Sequence, residues 1–372
     1  MRVVHIVECF AAGTAHFINL LTQHTSCEHI VIHGERADEI SAEAVKAKFP
    51  KEVSFIRWKS VQREIKPLQD LRALLELYQI LRNLKEVDVI HLHSSKAGFL
   101  GRIVSFLMRR NNVIYTPNGA SFSRSDISAT NKAFFVTLEK LADRVSGQVV
   151  CCSRSESVIY KEIGINATYI NNGTFIPNQL PEKQTKQVGK DRSTRFTIVT
   201  CGRVTEQKNP AFFNEIASYF VQQENLQFIW IGEGEAEQKA LLRAPNIQLT
   251  GWLPKEEVDR MVSSADLYMS TSLWEGLPFS VLEALSLGKC LLLSDCVGNV
   301  DLVRDGFNGF IYDSPQKAAS KIEWFLNNKE AIPLMEKNSR EWSIEEFDIK
   351  LVSLKYQELY HRLSVSQRSL TS

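Results

Sequence analysis

"EGLPFSVLEALSLGKCLLLSD", Glu275 to Asp295, is the stretch from which the fold class follows. Its centre, "PFSVLEALSLG", repeats apolar residues at helical spacing, and Gly288 is the residue type that ends helices. Directly behind it, "KCLLLSD" is a short apolar run, as in a strand covered on both faces. Upstream, "DLYMSTSLW" reads as an earlier strand with its exit loop. Strand, loop, helix and strand in that order make one step of a parallel α/β sheet.

The alternation extends in both directions. "GFIY" follows towards the C-terminus, and "FTIVTCG", "LQFIWIG" and "NIQLTG" stand upstream. The first half repeats it with "RVVHIVE", "HIVIH", "VSFI", "VDVIHLH", "NVIYT" and "GQVVCCS". Amphipathic stretches such as "PLQDLRALLELYQILRNLKE" separate them. Between the halves, "PEKQTKQVGKDRSTR" (Pro181 to Arg195) is almost free of apolar residues and reads as a linker. A chain of 372 residues is too long for one ordinary core. The expected fold is α/β: two Rossmann-like doubly wound parallel-sheet domains, residues 1–178 and 179–345, facing across a cleft. Ligands of such sheets bind beyond the carboxyl ends of the strands.

A net charge of +1 excludes a strong polyanion binder, and nucleic acid is not an expected partner. Residues 1–178 nevertheless carry 22 Lys and Arg against 17 Asp and Glu, whereas the remainder carries 22 against 26. That asymmetry favours an anionic surface or substrate for the first half. The cysteines (Cys9, Cys27, Cys151, Cys152, Cys201, Cys290 and Cys296) show no paired spacing, as expected in a reducing, cytoplasmic compartment. The start, "MRVVHIVECFAAG", is broken by His5 and Glu8 and does not read as a signal peptide. No run has the length of a membrane span, so contact with a membrane is expected from outside.

The loops at strand ends carry the chemistry. In "CGRVTEQKNP" (Cys201 to Pro210), Arg203 offers a planar fork for phosphate oxygens and Lys208 a mobile point charge. Two solvated surface cations are the competing reading, and their place after a strand weighs against it. Pro278 suits the first turn of a helix whose N-terminus favours an anion. Glu283, about one turn in, faces where a ribose hydroxyl would lie, and Glu275 stands on the loop before the helix within reach of a sugar.

At this point the chain resembles the GT-B glycosyltransferases of glycosyltransferase family 4, retaining enzymes that use nucleotide-sugar donors. The stretches that carry the resemblance are "HLHSSKAGFLGR", "YTPNGASF", "VVCCSRSE", "NNGT", "CGRVTEQKNP", "WIGEGE", "TGWLP", "STSLWEGLPFSVLEALSLGK" and "RDGFNGFIY". The resemblance implies that Arg203 and Lys208 hold the donor diphosphate and that Glu283 binds the ribose. It implies that Glu275, with the main chain of Gly276, Leu277, Pro278 and Phe279, holds the donor sugar. Gly13 and Thr14 would approach the diphosphate, and Gly232 and Leu253 would lie near the base. It also implies that the C-terminal helix, residues 346–372, packs back on the first domain. Its expected apolar face is Phe347, Leu351, Leu354, Tyr356, Leu359 and Tyr360.

One position departs from the family, which often has His before Gly in the loop after the fifth strand. Here Asn118 stands in "TPNGAS" and can hydrogen-bond but cannot take up a proton near neutral pH. That suits front-face retention, in which the departing phosphate takes the acceptor's proton. No D-x-D occurs, and no metal or other cofactor is expected, since two cations and a helix N-terminus can neutralise the leaving group.

Other features are weaker. "IGEGEAE" has Glu237 in place of a third phosphate-loop glycine. His91 and His93 share a strand face without an evident third metal ligand. Cys151 and Cys152 read as strand packing. His93, Ser94, Ser95 and Lys96 are the acceptor-side candidates, with Lys96 equally readable as a solvated lysine. "FIRWKSVQREIK" interleaves Arg57, Lys59, Arg63 and Lys66 with Phe55 and Trp58, a basic segment expected to expose aromatics to a membrane.

The expected function is transfer of a hexose or N-acetylhexosamine from a UDP-sugar, with Glu275, Arg203, Lys208 and Asn118 at the reacting centre. The expected acceptor is a lipid-linked saccharide in bacterial surface-polysaccharide assembly, met at the inner face of the plasma membrane. A nucleotide-sugar epimerase or a phosphorylase on the same fold is the alternative enzyme, and a catalytically degenerate sugar-binding subunit the alternative without chemistry.

Overall fold

The computed structural model describes residues 1–35, 41–62, 64–181 and 195–371. It divides into two units, Met1–Gly173 with Ile349–Ser372, and Thr174–Asp348. The chain thus leaves the first unit ahead of the polar stretch read as a linker, of which residues 182–194 lie outside the described residues.

In the first unit β1 (Arg2–Val7), α1 (Ala12–His24), β2 (Glu28–His33), α2 (Ala42–Lys46) and β3 (Ser54–Arg57) come first. They are followed by α3 (Pro67–Asn83), β4 (Val89–His93), α4 (Ser95–Leu107), β5 (Val113–Thr116) and α5 (Ala129–Asp143). β6 (Gln148–Cys151), α6 (Arg154–Glu162) and β7 (Thr168–Tyr169) complete the sheet, ordered β3-β2-β1-β4-β5-β6-β7 and parallel throughout. Each strand expected from the sequence is present. The two residues of β7 are additional, and too short to show a period.

The two faces of this sheet differ in chemistry. Val4, Ile6, Ile30, Ile32, Ile90 and Leu92 form an aliphatic layer with α3 and α4. The alternate positions of the same strands carry His5, His29, His33, His91 and His93, all buried. In register His5 lies beside His91, and Val7 lies between His33 and His93. The last helix, α13 (Ile349–Thr371), packs on this polar face through Val352, Tyr356, Leu359 and Tyr360, all buried. Tyr356 stacks on His91, and the Tyr360 hydroxyl lies 2.8 Å from His91 Nδ1. Two residues of the expected apolar face, Leu351 and Leu354, are exposed, and Phe347 is buried against Trp342 before the helix begins.

The second unit contains β8 (Phe196–Cys201), α7 (Pro210–Ser218), β9 (Leu226–Ile231), α8 (Ala236–Lys239), β10 (Ile247–Leu249) and α9 (Lys255–Ser264). β11 (Leu267–Ser270), α10 (Phe279–Ser286), β12 (Leu291–Ser294), β13 (Gly309–Tyr312), α11 (Pro315–Asn327) and α12 (Ile332–Glu346) follow. The sheet order is β10-β9-β8-β11-β12-β13, with a core that includes Ile198, Phe213, Trp230, Met269 and Leu292. Gly288, at φ +70°, ends α10 as its sequence implied. Buried Lys289 then fixes that end by donating to Ser263 O (3.1 Å) and Ala265 O (2.8 Å) and pairing with Glu336 at 2.6 Å.

Candidate functional site

The carboxyl ends of β8, β9, β11 and β12 gather the residues singled out in the second half. The loop after β8 begins at Gly202, whose carbonyl accepts a hydrogen bond from Trp230 Nε1 at 2.9 Å. Gly232, at φ +151°, comes so close that a Cβ there would lie 2.0 Å from Gly202 O, so only glycine fits. Gly232 also bridges to Gly251, which places the neighbouring half-buried Leu253 at the same corner. Arg203 is exposed on this loop.

The loops after β8 and β11 are stitched together. Leu273 N donates to Gln207 O at 2.8 Å, and Thr271 Oγ1 donates to Lys208 O at 2.6 Å. Asn209, in the left-handed region at φ 54°, turns the chain and caps α7 by accepting from Phe212 N. Lys208 Nζ meets Glu275 Oε1 at 2.7 Å, and Gln207 Nε2 reaches Trp274 O at 2.9 Å and Glu275 Oε2 at 3.3 Å. The Lys208 and Glu275 side chains are only 21% and 9% exposed. The two residues assigned to diphosphate and to sugar therefore hold each other in one ion pair.

Pro278 is the cap rather than the first residue of α10, and no side chain caps this helix. Glu283, half-buried on α10, has Lys255 Nζ at 3.6 Å. Burial pushes its carboxyl up, and the lysine draws it back. Its charge also bears on Cys201 at the end of β8, whose thiol is raised by burial to about 12. Behind Glu275, Gly298 at φ +85° lets the loop after β12 approach, since a Cβ there would lie 2.4 Å from Gly276 O. Lys255 and Gly298 were missed from the sequence. The lysine directly follows "TGWLP", and nothing local marks the glycine's partner.

In the first unit, Gly13 and Thr14 lie in the first turn of α1, which has Ala11 as an uncapped start and Ala12 at φ 48°. Asn118 is also left-handed, at φ 56°, a conformation asparagine accepts more readily than most residues. Its Nδ2 donates to Thr116 O at 3.2 Å, and the following Gly119 N donates to Glu156 Oε1 at 2.7 Å. Buried Glu156, the last residue of "VVCCSRSE", accepts from Cys152 N as well and so ties the Asn118 loop to β6. Ser94 N donates to Thr116 O at 3.1 Å, and the Ser95 and Ser121 hydroxyls are hydrogen-bonded, which joins the ends of β4 and β5.

The structure corrects several expectations. Lys96 is not a solvated lysine, because its Nζ pairs with Asp70 of α3 at 2.7 Å and bonds Glu64 O. His93 is wholly buried, with Nε2 at 3.0 Å from His5 Nδ1. His91 and His93 do have a third imidazole beside them, that of His5, with ligand-capable nitrogens within 4.8 Å of one another. Five of their six ring nitrogens are already in use, His93 Nδ1 being the exception. His5 Nε2 bonds His29 Nδ1, and His91 bonds Tyr360 and Thr116. A metal would have to break bonds that now satisfy the layer. The segment "FIRWKSVQREIK" does not expose its aromatics, since Trp58 is core and donates Nε1 to Ala73 O, and Phe55 is half-buried. Arg57 pairs with Glu35 at 2.8 Å, and Arg63 lies outside the described residues.

Residues 16–174 match the family model described as Glycosyltransferase Family 4, and residues 181–342 match the one described as Glycosyl transferases group 1. One relative is the UDP-Gal:alpha-D-GlcNAc-diphosphoundecaprenol alpha-1,3-galactosyltransferase of Escherichia coli. It is 27% identical over 330 residues, 82% of this chain and 83% of the relative. Another, from Campylobacter jejuni, is the N,N'-diacetylbacillosaminyl-diphospho-undecaprenol alpha-1,3-N-acetylgalactosaminyltransferase. It is 22% identical over 80% of this chain and 83% of its own. Among solved structures, HepE of Anabaena in complex with UDP-glucose superposes with TM-score 0.77 at 19% identity, over 98% of this chain and 100% of that one. Sucrose-phosphate synthase of Thermosynechococcus elongatus gives 0.80 at 15% identity, over 98% and 100%.

Proposed function

Since the chain belongs to the family 4 glycosyltransferases of GT-B fold, we propose that it transfers a hexose or N-acetylhexosamine from a UDP-sugar with retention of configuration. The acceptor is a lipid-linked saccharide in the assembly of a bacterial surface polysaccharide. The observation that carries the donor half is the Lys208–Glu275 pair, its lysine on the loop that also carries Arg203, with Glu283 of α10 near enough to bear on Cys201 at the end of β8. Relatives that act on diphosphoundecaprenol-linked sugars support the acceptor half.

In this reading the bond between the sugar's anomeric carbon and the diphosphate oxygen breaks. The acceptor oxygen bonds the same face of that carbon, and the acceptor's proton passes to the departing diphosphate. Lys208 and Arg203 stabilise the charge that develops there, as preorganised cations do in a poorly solvated site. Asn118 hydrogen-bonds a substrate hydroxyl and moves no proton. Glu275, held at both oxygens, aims at the sugar. Catalysis then needs no divalent ion, and the enzyme acts at the inner face of the plasma membrane.

Two outcomes follow. With an undecaprenyl-diphosphate-linked N-acetylglucosamine acceptor, proton NMR of the first-formed product should show the donor's anomeric configuration, and turnover should survive EDTA. An inverted product, or a chelated enzyme revived by magnesium or manganese, would remove the mechanism. The two glutamates should also fail differently. Glu283→Ala should weaken UDP itself, because the ribose is present with or without a sugar. Glu275→Gln keeps the bond from Gln207 and frees Lys208, so UDP should bind at least as well while UDP-sugar loses its advantage. Identical calorimetric profiles for the two variants would collapse this division of roles.

A further inference from the structure

Helix α3 presents a second apolar stripe that no described residue of the first unit covers. Its inner stripe is Ala73, Leu77 and Leu81. On the opposite side Leu68, Leu71 and Leu75 recur at helical spacing, exposed by 81%, 54% and 53%, with Ile65 just before the helix at 51%. Isolated exposed leucines are ordinary, but a row along one helix marks an interaction surface.

The charges carried by α3 itself are sorted by sign. The acidic residues of α3 are turned to internal use. Asp70 accepts from Lys66 N and holds Lys96, and Glu76 accepts from Lys59 N and Ser60 N at 2.9 and 2.7 Å. The cations of the helix, Arg72 and Arg82, are exposed within the same arc as the leucines, while Lys66, beside its start, pairs with exposed Glu64 at 3.6 Å. An amphipathic helix with leucines flanked by arginines, its own carboxylates engaged, is complementary to an anionic bilayer surface.

We propose that this face of α3 docks the protein on anionic lipid. The proposal rests on the lipid-linked acceptor read above and adds where the lipid lies. The row starts two residues before Asp70, whose carboxylate reaches Lys96 at the head of α4, directly after the acceptor-side residues Ser94 and Ser95. A carrier lipid held in the bilayer at Leu68 would thus bring its saccharide to the carboxyl ends of β4 and β5. This replaces the segment around Trp58, which is packed inward.

The test is co-sedimentation of the full chain with vesicles of phosphatidylcholine alone or mixed with phosphatidylglycerol, at low and high salt. The parent should partition to the mixed vesicles, less so as salt rises. The triple variant Leu68→Ser, Leu71→Ser, Leu75→Ser should lose roughly tenfold or more of that partitioning, and Arg72→Glu with Arg82→Glu about as much. Thermal midpoints and calorimetric UDP affinity should stay at parental values, since these side chains face outward. A parent that binds UDP but stays in the supernatant at low salt overturns lipid docking and leaves the donor reading standing. Variants that sediment like a binding parent overturn this surface while leaving the lipid-linked acceptor intact. A parental dimer that the leucine variant converts to monomer in sedimentation velocity would assign the face to a second copy instead, and the proposal would fall.

Discussion

Alanine at Lys208 or Arg203 is expected to weaken UDP binding by about 2–5 kcal/mol, roughly thirtyfold to several thousandfold. The larger loss belongs to Lys208. Its side chain is mostly buried and already fixed at 2.7 Å from Glu275, so little ordering remains to be done when a diphosphate arrives. Arg203 is exposed in the structure, where a charge contact is worth less, so its loss should sit near the lower end. Removing Lys208 also leaves Glu275 with the amide of Gln207 beside it, a nearly buried carboxylate without its cation. Lys208→Ala should therefore lower the thermal midpoint of the second unit as well, whereas Arg203→Ala should not. Isothermal calorimetry with UDP, paired with a melting curve, separates the two effects. Parental UDP affinity in both variants would end the assignment of this loop to the diphosphate.

How much of this was visible beforehand depends on whether the cause was local. The strands of both sheets announce themselves as short Val-, Ile- and Leu-rich runs, because burial on two faces leaves no room for alternation. Gly288 and Pro278 mark α10 to within a residue, since backbone limits act at the residue itself. The loops that carry Arg203, Lys208, Glu275 and Glu283 could be found because they follow strands. What could not be read is who meets whom. Trp58 among basic residues looks exposed in one dimension, yet its indole donates to a carbonyl of α3, fifteen residues on. Lys96 is paired with Asp70, and His93 is hydrogen-bonded to His5, each from a separate element. The Lys208–Glu275 pair spans 67 positions, and only the fold makes them neighbours.

Acid should unfold the first unit well before the second. All eight histidines lie in residues 1–173 and 349–372, and the second unit has none. The buried layer has a fixed proton order. Thr25 Oγ1 donates to Leu21 O, so it accepts from His29 Nε2; His29 Nδ1 then accepts from His5, and His5 Nδ1 from His93. An added proton inside this row would set N–H against N–H. Only His93 Nδ1, buried without a hydrogen-bond partner, is open to it. Burial accordingly lowers His29 to about 4 and His93 to about 3, and holds His5 and His91 well below the usual range. Because the folded values lie below the unfolded one, the unfolded chain takes up more protons as pH falls below about 6.5, and stability drops with it. Each such histidine removes about 1.4 kcal/mol per pH unit until its folded value is passed, or about 2 kcal/mol by pH 5. Four together approach the whole stability of a typical domain, about 5–15 kcal/mol. Glu156 and Glu283, whose carboxyls burial raises, act in the opposite sense, one in each unit. Hydrogen exchange read by mass spectrometry, corrected for intrinsic rates, should lose protection in β1, β2, β4 and α13 near pH 5 while β8 to β13 stay protected. His93→Leu, which removes one of the four titrating imidazoles and leaves His5 Nδ1 as the row's new end, should move that loss to lower pH. Simultaneous loss in both units, or earlier loss in the second, would mean that the histidine layer does not set the acid limit.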